Sequence, residues 1–206
     1  MASDFVCVVD DDAAMRDSLR WLLEGVGHKV KLYESGQSFL ADRSRDTAGC
    51  LLLDIRLRDT NGLDLYRELK RRGFVPPVIF ITGHGDIPLA VQAMKDGAID
   101  FVTKPLDDHR LLDAVQRALS IAGQAYEDHA LHEQVRQRLA SLSAREREVL
   151  DRVVAGKMNK VIADELGISS KTVEAHRARV MDKMKARSLA ELVRLLSLGG
   201  SDQGNP

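Results

Sequence analysis

Three short apolar runs, rich in β-branched residues, each end in an oxygen-bearing side chain. FVCVV at 5–9 runs into Asp10-Asp11-Asp12, CLLL at 50–53 into Asp54, and VIFI at 78–81 into Thr82. Runs this short and this uniformly apolar fit strands covered on both faces, the condition of a parallel sheet. Two weaker runs, around Val30–Tyr33 and Ile99–Val102, bring the set to five. Between them apolar residues recur at helical spacing: Met15, Leu19, Leu22, Leu23 and Val26; Leu63, Leu65, Tyr66 and Leu69; Leu89, Val91 and Met94; Leu111, Leu112, Val115 and Leu119. Glycines at 25, 27, 73 and 97 and the Pro76-Pro77 pair fall where those helices should stop. The alternation predicts a five-fold βα repeat, an α/β doubly wound five-stranded parallel sheet.

Open sheets of that kind bind ligands at the carboxyl ends of their strands. Here those ends carry Asp10, Asp11 and Asp12, then Asp54, Thr82 and Thr103-Lys104-Pro105. Converging carboxylates repel one another unless a hard cation sits among them, and Mg²⁺, with its octahedral oxygen shell, fits best. Lys104 adds a point cation and Thr82 a hydroxyl donor, so the set suits a phosphoryl group. Asp12 reads more simply as the cap of the first helix. Taken singly, Asp10, Asp11 and Lys104 also have bland readings as caps or surface charge, and Phe101 as core packing; jointly they do not.

The pattern of Asp10-Asp11, Asp54, Thr82 and Lys104-Pro105, in that order and at those strand ends, resembles the receiver domain of bacterial two-component response regulators over about residues 4–120. The resemblance implies that Asp54 accepts a phosphoryl group from a phosphohistidine on a sensor histidine kinase. It implies that Asp11, Asp54 and the backbone carbonyl of Arg56 bind Mg²⁺, with Asp10 supporting the metal through water. It further implies that Lys104 pairs with the phosphoryl oxygens, that Thr82 and Phe101 move together as a switch, and that the Lys104–Pro105 peptide is cis. Arg56 and His84 would line the mouth and tune the rate at which water removes the phosphoryl group. One departure stands out. Many receivers carry a proline four positions after the phosphoacceptor, and this chain has Arg58 there.

The charge is divided. Residues 1–140 hold 18 basic and 22 acidic side chains, whereas 141–198 hold 12 basic and 8 acidic, so a chain with a formal net charge of -1 ends in a basic part. Nucleic acid is the first candidate partner of such a part. Within it, Ser143 and Glu146 form a capping-box pattern, a short helix is expected at about 159–166, Gly167-Ile168-Ser169 makes a turn, and a helix starting near Lys171 extends through SKTVEAHRARVMDKMKAR. A last helix is expected at 189–198. Helix, turn and basic helix together predict a helix-turn-helix, whose second helix enters the major groove. The string LSAREREVL at 142–150, followed by GKMNKVIADELGISSKTVEAHRARVMDKM at 156–184, resembles the LuxR-type helix-turn-helix, and with a receiver in front the chain is similar to the NarL/FixJ subfamily. That resemblance implies phosphate contacts from Asn159 and Lys160. It implies an anchored recognition helix through Lys171, Thr172, His176 and Arg177, and Glu174, Ala175, Ala178 and Arg179 nearest the bases. His176 reads equally as a packing histidine.

The domains expected are a receiver at 1–120, a helical linker at 121–140, rigid or flexible, and a DNA-binding domain at 141–200. The implied function is a phosphorylation-controlled transcription factor, an activator rather than an enzyme. Its implied partners are a sensor kinase, promoter DNA, RNA polymerase and a second copy of itself once phosphorylated. An Asp-nucleophile phosphatase is the rival from another class, but its nucleophile normally sits in a D-x-D pair on the first strand. A constitutive DNA-binding protein with an idle receiver is the other. Two cysteines, Cys7 and Cys50, each inside an apolar run, predict buried thiols rather than a disulfide or zinc site. No apolar run is long enough for a membrane span and the N-terminus lacks a secretory pattern, so the chain reads as cytoplasmic.

Overall fold

The computed structural model describes residues 5–42, 48–73, 76–83 and 87–199. In chain order these contain β1 (Phe5–Val9), α1 (Ala13–Gly25), β2 (Lys29–Tyr33), α2 (Gly36–Ala41), β3 (Cys50–Asp54), α3 (Gly62–Arg71) and β4 (Val78–Thr82). There follow α4 (Ile87–Lys95), β5 (Asp100–Thr103), α5 (Asp108–Ala140), α6 (Ala144–Val154), α7 (Asn159–Leu166), α8 (Ser170–Met184) and α9 (Leu189–Gly199). The chain divides into two compact units, Met1–Glu127 and Asp128–Pro206.

In the first unit the described strands form one parallel sheet in the order β2-β1-β3-β4-β5, with neighbours paired in register, for example Val8 with Leu52 and Asp54 with Ile81. The period of two along each strand builds two cores, one on each face. Val6, Val8, Cys50, Leu52, Ile79 and Ile81 pack against Leu19, Leu23, Leu111, Val115 and Ala118 of α1 and α5. Cys7, Val9, Leu51, Leu53, Val78 and Phe80 pack against Phe39, Leu63, Tyr66 and Leu69 of α2 and α3. Two edge-to-face ring pairs, Tyr33–Phe39 at 5.1 Å and Tyr66–Phe80 at 5.7 Å between centroids, sit in this second layer. The short helix α2 is not foreseen by periodicity. Six residues hold too few turns for an apolar stripe, and the helix is started by a capping box in which Ser35 and Ser38 satisfy each other's backbone.

The second unit is helical. Val149, Val153, Ile162, Ala163 and Val173 form one cluster where α6, α7 and α8 meet. Leu142, Leu150, Val180, Met184, Leu192 and Leu195 form another, and fully buried Val135 joins it, with Leu139 packed alongside. The sequence reading gives 121–140 to a linker; the last turns of α5 are instead part of this unit's core. The basic helix also ends sooner than its charge pattern suggests. It stops at Met184 because Lys185 takes the left-handed conformation, φ 56°, and its N–H caps the helix on Asp182 and Met181 carbonyls. Among the described residues no helix is long and apolar enough to cross a membrane.

Candidate functional site

At the carboxyl ends of β1, β3 and β4 the first unit gathers its buried polar side chains: Asp10 and Thr82 are fully buried and Asp54 is 6% exposed. Three successive aspartates leave β1 and do three things. Asp10 Oδ1 accepts the Asp12 N–H at 2.8 Å, which turns the chain, and its carbonyl accepts Arg16 at 2.7 Å. Asp12 caps α1 by accepting the Ala14 N–H at 2.9 Å. Asp11, between them, meets Arg58 Nε at 2.8 Å through Oδ2.

Lys104, at the end of β5, reaches across the sheet to both buried carboxylates, donating to Asp54 Oδ2 at 2.6 Å and to Asp10 Oδ2 at 3.0 Å. The other Asp54 oxygen accepts the Arg56 N–H at 2.9 Å. Burial pushes Asp54 above the ordinary carboxylate range, against the pull of Lys104 and the Arg56 N–H. Burial by itself would lower Lys104, but its hydrogen bonds to Asp54 and Asp10 outweigh that and hold it above its ordinary value. The lysine is therefore an ammonium, pinned on the two carboxylates. Thr82 donates to the Gly83 carbonyl at 3.3 Å, a long bond that leaves the hydroxyl easy to redirect.

One oxygen each from Asp10, Asp11 and Asp54 lies within 4.8 Å of the others. Magnesium bonds near 2.0–2.1 Å make an octahedron about 4.2 Å across, so the spacing and the hard oxygen donors fit that ion. Arg56, whose backbone pairs with Asn61, sits in the loop that follows Asp54. Phe101 is half-buried beside Arg110, whose guanidinium lies 5.8 Å from the ring centroid and donates to the Phe101 carbonyl at 3.2 Å. The Lys104–Pro105 peptide is cis. His84 lies outside the described residues. Neither cysteine belongs to the pocket; both are buried, and burial raises both thiols, that of Cys7 to about 11.

Two residues of this site escape the sequence reading. Gly62 begins α3 directly beneath the loop, donating its N–H to Ile55 at 2.8 Å, and a Cβ there would stand 2.2 Å from the Asp54 carbonyl oxygen. Asp59 accepts the Gly36 and Gln37 N–H groups at 3.2 and 3.0 Å, tying the β3–α3 loop to the start of α2. The Asn61-Gly62 pair was the available signal, since Asn caps α3 through Leu63 and only a residue without a side chain fits next to it.

In the second unit, α8 starts from Ser169, which accepts the Thr172 N–H, and buries Val173, Val180 and Met184. Lys171, Glu174, Ala175, Ala178 and Arg179 are exposed, four of them at the i, i+3, i+4, i+7 spacing of a single stripe. Lys160 on α7 is exposed as well. Thr172, His176, Arg177 and Asn159 are half-buried and have protein partners. Thr172 meets the Ser169 hydroxyl, Arg177 donates to Asn159 at 2.6 Å and so braces α7 on α8, and His176 Nδ1 lies 3.3 Å from Arg179. Lys183, further along the same basic helix, turns toward α6. It bonds Glu146 at 2.7 Å and, ahead of the Ser143 N–H, holds that carboxyl down at about 2, completing the capping box of α6.

Comparison with known proteins agrees with this division. Residues 6–116 match the family described as response regulator receiver domain, and residues 140–196 that of bacterial regulatory proteins, luxR family. The chain is 45% identical over 195 residues to the transcriptional regulatory protein FixJ of Bradyrhizobium diazoefficiens, covering 95% of each. It is 43% identical over 196 residues to the transcriptional regulatory protein TdiR of Thauera aromatica, covering 95% of this chain and 86% of that one. Among solved structures, the response regulator StyR superposes with a TM-score of 0.86 at 41% identity, covering 94% of this chain and 98% of that one. Full-length FixJ from B. japonicum gives 0.59 at 44% identity, covering 98% and 99%.

Proposed function

This chain belongs to the FixJ-like response regulators of the NarL/FixJ subfamily, and we propose that Asp54 is the residue through which it is switched. Proteins of this family regulate transcription by phosphorylation and are DNA-binding regulators, not enzymes. A receiver implies a sensor kinase as partner and a LuxR-type domain implies DNA.

The reading rests on one observation above the others: a nearly buried carboxylate, Asp54, held by an ammonium and a backbone N–H and flanked by two more carboxylates. A carboxylate oxygen of Asp54 attacks phosphorus on a phosphohistidine of the kinase, the P–N bond breaks as the P–O bond forms, and the imidazole leaves with the electron pair. Asp11, Asp54 and the Arg56 carbonyl, supported by Asp10, would hold Mg²⁺, which would supply a charge that offsets the oxygens of the transferring group. Lys104 is already aimed at Asp54 and needs only to exchange a carboxylate oxygen for a phosphoryl oxygen. Thr82 gives up its long bond to Gly83 and donates to the phosphoryl group, and the half-buried Phe101 ring follows into the space released. The added charge, about -1.5 to -2, biases the surface of α4, β5 and α5 toward pairing with a second copy.

Pairing brings two DNA-binding domains onto half-sites about one helical turn apart. The exposed Glu174, Ala175, Ala178 and Arg179 face the bases, Lys160 and Asn159 meet phosphate, and Lys171, Thr172, His176 and Arg177 hold the helix at its depth. The outcome is recruitment of RNA polymerase and activation, in the cytoplasm. The domains run 1–120, 121–140 and 141–200, with Val135 and Leu139 at the end of the linker helix packed into the core of the last.

Sedimentation of the wild type and of Asp54→Asn, with Mg²⁺ and with or without beryllofluoride as a phosphoryl mimic, tests this. A monomer-to-dimer shift in the wild type alone is expected. A shift in neither, or in both, would refute it.

A further inference from the structure

We propose that Arg58 acts as an internal stand-in for the divalent cation, neutralising Asp11 in the metal-free pocket and thereby weakening metal binding. The proposal rests on the reading of Asp10, Asp11 and Asp54 as the Mg²⁺ pocket. Lys104 shares its one positive charge between Asp10 and Asp54, the two carboxylates it bonds. Among the described residues the cation on Asp11 is Arg58, Nε to Oδ2 at 2.8 Å. Without it three carboxylates would face one ammonium; with it the excess negative charge is halved.

The contact is made to be broken. The Arg58 side chain is 83% exposed, whereas the Asp11 carboxylate is 22% exposed. A guanidinium placed this way is held loosely, because water competes for it and its long side chain loses rotamer freedom in the pair. An incoming divalent ion needs the same carboxylate, so every binding event must first release Arg58. A proline at this position, the residue common in receivers, offers no such competitor. A pair of this exposure shifts an equilibrium by up to about five-fold. Arg58 therefore raises the Mg²⁺ concentration at which the pocket becomes ready for phosphoryl transfer.

Calorimetric titration of the full chain with MgCl₂, without any phosphoryl donor, reads this directly. Arg58→Ala is expected to bind Mg²⁺ about two- to five-fold more tightly than wild type, with Arg58→Lys between them. In metal-free buffer Arg58→Ala is expected to melt lower than wild type, and the same substitution made in Asp11→Asn is expected to leave the melting temperature unchanged, because its partner is gone. Equal Mg²⁺ affinity of wild type and Arg58→Ala would overturn the proposal while leaving the pocket intact. A lack of Mg²⁺ binding by both would overturn the pocket as well. If Arg58→Ala lowered the melting temperature equally in the wild type and in the Asp11→Asn variant, Arg58 would be acting through some other contact, which also overturns it.

Discussion

Replacing Gly62 by alanine is expected to damage the pocket from below without touching any of its charged groups. The added methyl would stand 2.2 Å from the Asp54 carbonyl oxygen and 3.1 Å from both the Asp54 carbonyl carbon and the Ile55 Cα. Apolar contacts settle near 3.5–4.0 Å, so the Asp54–Ile55 backbone and the start of α3 must part by more than about 1 Å. Neither side can yield cheaply. Asp54 and Ile55 are hydrogen-bonded into the sheet, Ile55 donating to Ile81 at 3.0 Å, and α3 is packed through Leu63, Leu65, Tyr66 and Leu69. Overpacking of this kind costs about 1–3 kcal/mol, and opposed backbone puts it at the upper end. For the first unit that is a fall in melting temperature of roughly 10 °C. Gly123→Ala is the matched control: nothing lies within 4 Å of its Cβ, it sits inside α5, and it should gain about 0.4–1 kcal/mol. Differential scanning calorimetry gives both shifts, and the beryllofluoride response of Gly62→Ala shows whether Asp54 has moved. A Gly62→Ala protein that melts within a degree or two of wild type and still responds to beryllofluoride would refute the steric argument.

Two further expectations concern the second unit. Glu146 has its pKa depressed to about 2 by Lys183, so its ionised form adds stability above the ordinary glutamate value of 4.5 that is lost as pH falls from there toward 2. The unfolding transition of this unit should weaken through that window, and Glu146→Gln should flatten the dependence; an unchanged acid limb in the variant would contradict the Lys183 bridge. Val135→Ala removes two fully buried methylene equivalents and should cost about 2 kcal/mol, lowering the melting of the second unit and not the first. A loss confined to the first transition would assign Val135 to the wrong core.

The strands were legible because burial on both faces leaves an unbroken apolar run, and the pocket because each such run ends in a polar residue. What stayed hidden lay in side-chain reach and local backbone. Arg58 and Lys183 look alike as surface cations, yet one lies across the acidic pocket and the other turns under α6 to Glu146. Nothing in sequence spacing reports where a long flexible side chain comes to rest. The end of α8 was obscured because a lysine, not a glycine, takes the left-handed position. The edge of the second core was obscured because a sparse stripe, with Val135 and Leu139 at its end, reads as a polar linker until α6 and α8 are there to cover it.

The run Asp10-Asp11-Asp12 looks repetitive, but its members are not interchangeable. One is sealed against Lys104, the next faces Arg58 at the rim, and the third closes a helix end. Serine, threonine or asparagine would serve the third place, whereas none of them supplies the charge that the first two provide. Mutational tolerance should therefore change from one position to the next within a tract of identical letters. A slip of a single residue here would exchange all three tasks at once while leaving the composition of the tract intact.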